Sequence, residues 1–215
     1  AFTWRVFGEV LDALHRPVNM PPLRVVSGSW QMSGVGGMVT SGSLTVPMLD
    51  ESNPAGPVDW RPTKWGSPLS PWGNRIRVHI EVTPDGGIPV SCPLGIGLIM
   101  SVTSNRPDQT LIVELGDLAE EMSQAKTLYD YPQSTNHSHR WMCDRLLEWA
   151  EIPRRPRLFD PYRLVSDDPG KPLPADLSYN AGSDSFDLLL DAARLSSPSN
   201  TVRVDRLGRF AVYVD

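Results

Sequence analysis

Lysine is nearly missing from this chain of 215 residues. Only Lys64, Lys126 and Lys171 occur, which leaves arginine for 17 of the 20 basic side chains. Acidic residues number 25, and the formal net charge is −5. That balance excludes the overall basic field on which non-specific nucleic-acid binding depends. Cysteine occurs twice, as Cys92 and Cys143, too few for a disulfide framework. No apolar run approaches the roughly 20 residues that a membrane-crossing helix needs. The familiar catalytic signatures are missing too: there is no G-x-S-x-G, no H-E-x-x-H, no Walker A and no C-x-x-C. What remains is an ordinary globular composition, 40% hydrophobic and 21% charged. Its 21 prolines and 17 glycines favour many turns and long irregular connections. The length allows one large domain or two small ones. The chain opens without Met and ends in V-D directly after a strand-like run, as a piece of a longer protein would.

The clearest local pattern lies between Pro71 and Val102. Ile76, Val78, Ile80 and Val82 share one parity; Arg75, Arg77, His79 and Glu81 share the other. A strict period of two predicts a half-buried antiparallel strand, with one face on a core and the other carrying charge. Pro84-Asp85-Gly86-Gly87 predicts a turn, because Pro presets φ and Gly accepts φ > 0. Leu94 to Val102 is apolar on both parities, as in a strand covered on both faces. Further strands are expected at Phe2–Val10, Leu23–Trp30, Val39–Val46 and Thr110–Leu115. Gly34-x-Gly36 and Gly95-x-Gly97 fall short of a dinucleotide fingerprint, since Val39 and Met100 stand where the third glycine belongs. Glycines inside strands mark bulges or close backbone approach instead.

Three helices follow. Asp117 to Lys126 places Leu118, Met122 and Ala125 at i, i+4 and i+7, with acidic residues early and Lys126 late, complementing the helix dipole. Ser138 to Ala150 stripes Met142, Leu146, Trp149 and Ala150, and Pro153 ends it. Ser183 or Asp184 caps a third helix that carries Phe186, Leu189, Leu190 and Ala193. A hairpin around Leu207-Gly208 closes the chain. The expected fold is mainly β with an α+β second part. Residues 1–130 are expected to form an antiparallel β-barrel with a closing helix. Residues 131–215 are expected to form a helix–loop–helix–hairpin domain, incomplete at its C-terminal end.

Candidate chemistry is sparse. His137, His139 and Cys143 form the single metal-like cluster, since His139 and Cys143 share a helix face. The same residues fit a helix start with polar histidines and a core cysteine. The Pro-rich stretch from Asp50 to Trp72 carries Trp60, Trp65 and Trp72. Such a loop reads either as a contact arm or sugar-stacking platform, or as a cover for a sheet edge. Arg154, Arg155 and Arg157 form a local basic run that suits phosphates or an acidic partner, and equally a solvated loop.

Several segments together resemble a family. They are G-S-L-T-V (Gly42 to Val46), P-W-G-N-R-I-R-V (Pro71 to Val78), P-L-G-I-G-L-I (Pro93 to Ile99), L-G-D-L-A-E-E-M (Leu115 to Met122), and S-F-D-L-L-L-D-A-A-R with V-D-R-L-G-R-F-A-V (Ser185 to Val212). In this order they resemble the tail hub, or baseplate hub, proteins of tailed bacteriophages and contractile injection systems. They are most similar to the minor tail proteins of long-tailed phages of actinobacterial hosts. The chain departs from the family in its long Trp/Pro loop and in lacking the barrel segments that return after the hairpin.

The resemblance implies a tail-tube-like barrel followed by part of a hub domain. It implies a structural, non-enzymatic role as a homotrimeric ring at the distal end of a virion's tail, assembled in the host cytoplasm, with no cofactor. Implied partners are the distal tail or tail tube protein, tip, fibre or other baseplate proteins, and the tape measure protein. DNA would pass through the lumen during ejection without specific binding. Under this reading Trp60, Trp65, Trp72, Arg75, Arg77, His79, Glu81, Arg154, Arg155 and Arg157 are the candidate interface residues. The alternatives are a tail-associated cell-wall hydrolase working through His137, His139 and Cys143, or a carbohydrate-binding tip module working through the tryptophans.

Overall fold

The structure is a computed structural model, and it describes residues 2–32, 40–64, 66–124, 139–149, 182–196, 200–204, 208 and 210–214. Two compact units emerge, one formed by residues 1–32 and 40–117 and the other containing residues 118–215. The expected boundary at residue 130 lies outside the described residues. The helix after Asp117 groups with the second unit.

The first unit is built on strands β1 (Phe2–Leu11), β2 (Leu23–Arg24), β3 (Ser27–Met32), β4 (Thr40–Pro47), β7 (Arg75–Pro84), β8 (Val90–Asn105) and β9 (Thr110–Gly116). They form one antiparallel sheet in the order β2-β1-β7-β8-β9-β4-β3. A two-residue ribbon, β5 (Leu49–Asp50) with β6 (Val58–Asp59), stands apart from it. The single strand expected over Leu23–Trp30 is divided. Its first part pairs with β1 and its second with β4, and Val25 and Val26 lie between. These two parts are the opposite ends of the ladder. Laid flat, six interstrand steps would separate them by about 29 Å. Three residue steps of chain reach only about 10 Å. The sheet must therefore curl until its two edges meet along one segment. Among the described residues the hydrogen-bonded ladder stays open at β2 and β3, so what they show is a curled antiparallel sheet.

The concave face holds the core: Val10, Leu44, Val46, Ile76, Val78, Val113 and Leu115 are buried there, joined by Leu69 and Trp60 from the loop. Trp30 packs inside as well, over the two glycine-bearing motifs of the sequence. A Cβ on Gly95 would lie 2.4 Å from its ring and one on Gly42 2.8 Å from it. The close approach of a large ring explains why both strands carry glycine here. The expected β7–β8 hairpin is present, and Gly87 N–H donates to Pro84 O at 2.9 Å across its turn. Of its apolar parity Ile76 and Val78 are fully buried, whereas Ile80 and Val82 are only half-buried. A register shift against β8 between Val78 and His79 marks the change.

In the second unit the helices are α1 (Leu118–Gln124), α2 (His139–Trp149) and α3 (Ser185–Ser196), followed by a hairpin of β10 (Asn200–Val204) and β11 (Phe210–Val214). Asp184 caps α3, its Oδ1 accepting from the N–H groups of Phe186 at 2.9 Å and Asp187 at 3.1 Å. α3 packs against α1, α2 and β10. Met122, Met142, Leu146, Phe186, Leu189 and Val202 supply the buried apolar surface.

Candidate functional site

β1 and β7 run antiparallel in a register that sets Arg5 against Glu81, Phe7 against His79 and Glu9 against Arg77. Side chains facing each other across strands project from the same face. These six form one strip on the convex side of the sheet. The Arg5 guanidinium grips the Glu81 carboxylate through Nε at 2.7 Å and a second nitrogen at 3.2 Å. Arg77 donates to Glu9 at 2.8 Å. The His79 ring stacks on Phe7, with centroids 4.9 Å apart and planes within 3° of parallel. Arg5 covers the Phe7 ring at 5.4 Å. His79 Nδ1 lies 3.2 Å from Ser91 Oγ on β8, and Nε2 lies 3.7 Å from Glu9. Burial holds the His79 pKa below its ordinary value, and the nearby Arg77 adds to this; both outweigh the opposing pull of Glu9. His79 is thus a neutral, stacked ring at pH 7.

Arg77, His79 and Glu81 therefore keep the exposed-face position expected of them, but their charges are matched within the sheet. The expectation for Arg75 is overturned. It shares their parity but is only 1% exposed, so its side chain is enclosed within the chain and not presented on an open face. Register explains this, because Arg75 lies between Leu11 and Leu98, both fully buried, where that face of the sheet is covered. Trp60 is also corrected. It is completely buried in the concave core, and its indole N–H has no hydrogen-bond partner among the described residues. The ring serves as apolar bulk and neither as a contact arm nor as a sugar platform. Trp72 is 44% exposed and held at φ 60° while its N–H donates to Ile99 O at 2.8 Å. Trp65, Arg154, Arg155, Arg157 and His137 lie outside the described residues, as does the side chain of His139. Cys143 is 1% exposed within the second unit, the position of a core side chain.

Sequence reasoning missed the partner strand. Arg5, Phe7 and Glu9 fall on one parity of Phe2–Val10, with signs opposite to those of Glu81 and Arg77 read antiparallel. That complementarity was available as a pairing signal. It also missed a cleft of about 920 Å³ between β1 and the segment from Arg24 to Trp30. Trp4, Val6, Trp30, Leu44 and Leu94 make its lining mostly apolar, and Arg5, Arg24 and Asp50 stand among the polar groups.

With this geometry in hand, the fold has a solved counterpart. The chain is similar to a tail protein from Neisseria meningitidis MC58, with a TM-score of 0.53 and 12% identity over 97% of this chain and 50% of that one. A 43 kDa tail protein of prophage MuSo2 from Shewanella oneidensis aligns with a TM-score of 0.46 and 12% identity, over 98% of this chain and 48% of that one. The chain thus spans about half the length of the tail proteins it matches. No family model and no curated protein matches it. At such identity the likeness establishes the fold: a mainly antiparallel β protein with few helices, shared with a tail protein.

Proposed function

We propose that this protein is a structural component of a bacteriophage tail, forming a ring at the distal tip that joins the tail tube to the tip parts and leaves a passage for DNA. The observation that carries this reading is the shared fold with a tail protein across 97% of the chain. The segments that resemble tail hub proteins support it independently of the alignment. So does the state of the polar face of β7, whose charged side chains are paired with those of β1 and not gathered into a reactive centre. Within this reading the chain works without catalysis. The curled sheet is the tube-like element, and the second unit is part of the hub. Three copies form the ring. The distal tail or tube protein lies above it, tip or fibre proteins lie below, and the tape measure protein reaches it from inside.

Two measurements test the proposal. Light scattering on the full-length protein should give a trimer, and a stable monomer at micromolar concentration counts against the ring. Electron microscopy of tails carrying a labelled copy should place the label at the distal end. Labelling along the tube, or no incorporation into virions, overturns the assignment.

A further inference from the structure

The cleft of the first unit is a place where two strands part. Register shows how. Phe7 pairs with Arg24 and Gly8 with Leu23. Continuing that ladder would set Val6 against Val25 and Trp4 against Ser27. Instead the chain leaves β1 after Arg24: Val26 N–H donates to Thr45 O, and from Ser27 onward the strand pairs with β4. Phe2 to Val6 are then hydrogen-bonded to β7 alone, and Ser27 to Met32 to β4 alone, among the described residues. Two unpaired backbone edges face one cleft of about 920 Å³, a wedge that opens where the ladder stops.

We infer that this wedge is a strand-acceptor site, which takes an extended segment of another protein that pairs with the free edge of β1. An unpaired edge is a row of donors and acceptors at fixed spacing, and an extended backbone is what matches it. Parity specifies the side chains. On β1, Trp4 and Val6 point to the concave side, where Trp30, Leu44 and Leu94 line the cleft, so the guest's inner positions are apolar. Arg24, paired with Phe7 of the convex face, is exposed there, beside Arg5, whose guanidinium already holds Glu81. Cross-strand neighbours share a face, so the guest's outer positions are acidic. A second copy of this chain is the poorer occupant. The edge strands β2 and β3 hold no acidic residue and β1 none before Glu9, so edge-to-edge pairing of copies offers Arg24 no carboxylate.

The test uses the full chain and three synthetic heptapeptides: one alternating Val with Glu, one alternating Val with Lys, and the Val/Glu peptide N-methylated at alternate residues. In the free protein, amide exchange at Phe2–Val6 should be fast at alternate positions. The Val/Glu peptide should bind and slow that exchange. The Lys peptide should bind more weakly, and methylation on the bonding side should abolish binding. Arg24→Glu, a change at an exposed position, should weaken the Glu peptide about fivefold and favour the Lys peptide. Protection of Phe2–Val6 in the free protein overturns the inference, because the edge is then occupied by the chain itself or by a second copy, which size-exclusion chromatography distinguishes. Failure of every peptide at millimolar concentration, or equal binding of methylated and unmethylated forms, overturns it as well. These outcomes are independent of whether the protein sits in a phage tail.

Discussion

Trp30 and His79 show how single side chains set this sheet. Trp30 is boxed by backbone, since Gly95 and Gly42 lie beneath its ring at distances no Cβ tolerates. Gly95→Ala should therefore destabilise the first unit by about 1–3 kcal/mol, the usual cost of overpacking. Placed in a Trp30→Ala background the same change should lose most of that cost, and urea titration of the four members of the cycle measures the coupling. His79 predicts a pH dependence. Its folded pKa lies below the ordinary 6.5, so below that pH the unfolded chain binds the proton more readily than the folded one. Stability then rises with pH across that window. The His79 contribution is complete above about pH 7 and is lost as the pH falls through 6.5 toward the lower folded value. His79→Phe keeps a ring against Phe7 and removes the titration. Its unfolding free energy should fall less between pH 7.5 and pH 5.5 than that of the parent, as read by denaturant titration at each pH.

At the scale of elements, periodicity was a good guide to existence and a poorer one to surroundings. The alternation of β7, the two-sided apolar run of β8, the Asp184 cap and the final hairpin all follow from local chemistry, and the structure has them. Arg75 and Trp60 were not legible, because burial depends on what another part of the chain places over a position. Arg75 sits at the covered end of a strand whose other outward residues stay accessible. Trp60 belongs to a Pro-rich loop that folds back, and nothing in the spacing of its three tryptophans separates the inward ring from the outward one. The difference is measurable. Trp60→Ala should cost about 3–5 kcal/mol, the loss of a fully buried aromatic. Trp72→Ala should cost about 1 kcal/mol or less, as expected of a half-exposed side chain. Equal losses in thermal and urea denaturation would contradict the assignment of Trp60 to the core. The division of Leu23–Met32 was equally hidden. Both halves have strand-like composition, and only the competition between β1 and β4 for the same segment splits them.

The two cysteines of the chain lie in different compact units and report on them separately. Cys92 is exposed on β8, in the first unit, while Cys143 is enclosed on α2, in the second. A chain of two compact units need not unfold in one step. In native buffer a thiol-reactive disulfide reagent should titrate one equivalent promptly, from Cys92. The second equivalent should appear only as the second unit opens, because a thiol that is 1% exposed reaches the reagent through unfolding. In increasing urea, the concentration at which Cys143 becomes reactive marks the midpoint of the second unit. A Gly95→Ala substitution, which strains only the first unit, should leave that midpoint in place while lowering the midpoint read from the loss of sheet signal. If both midpoints move together, the two units unfold as one cooperative body, and the division at Asp117 describes packing density but not stability. If Cys143 reacts as fast as Cys92 in native buffer, the helical core is open, and its role in the second unit is not the one its burial assigns.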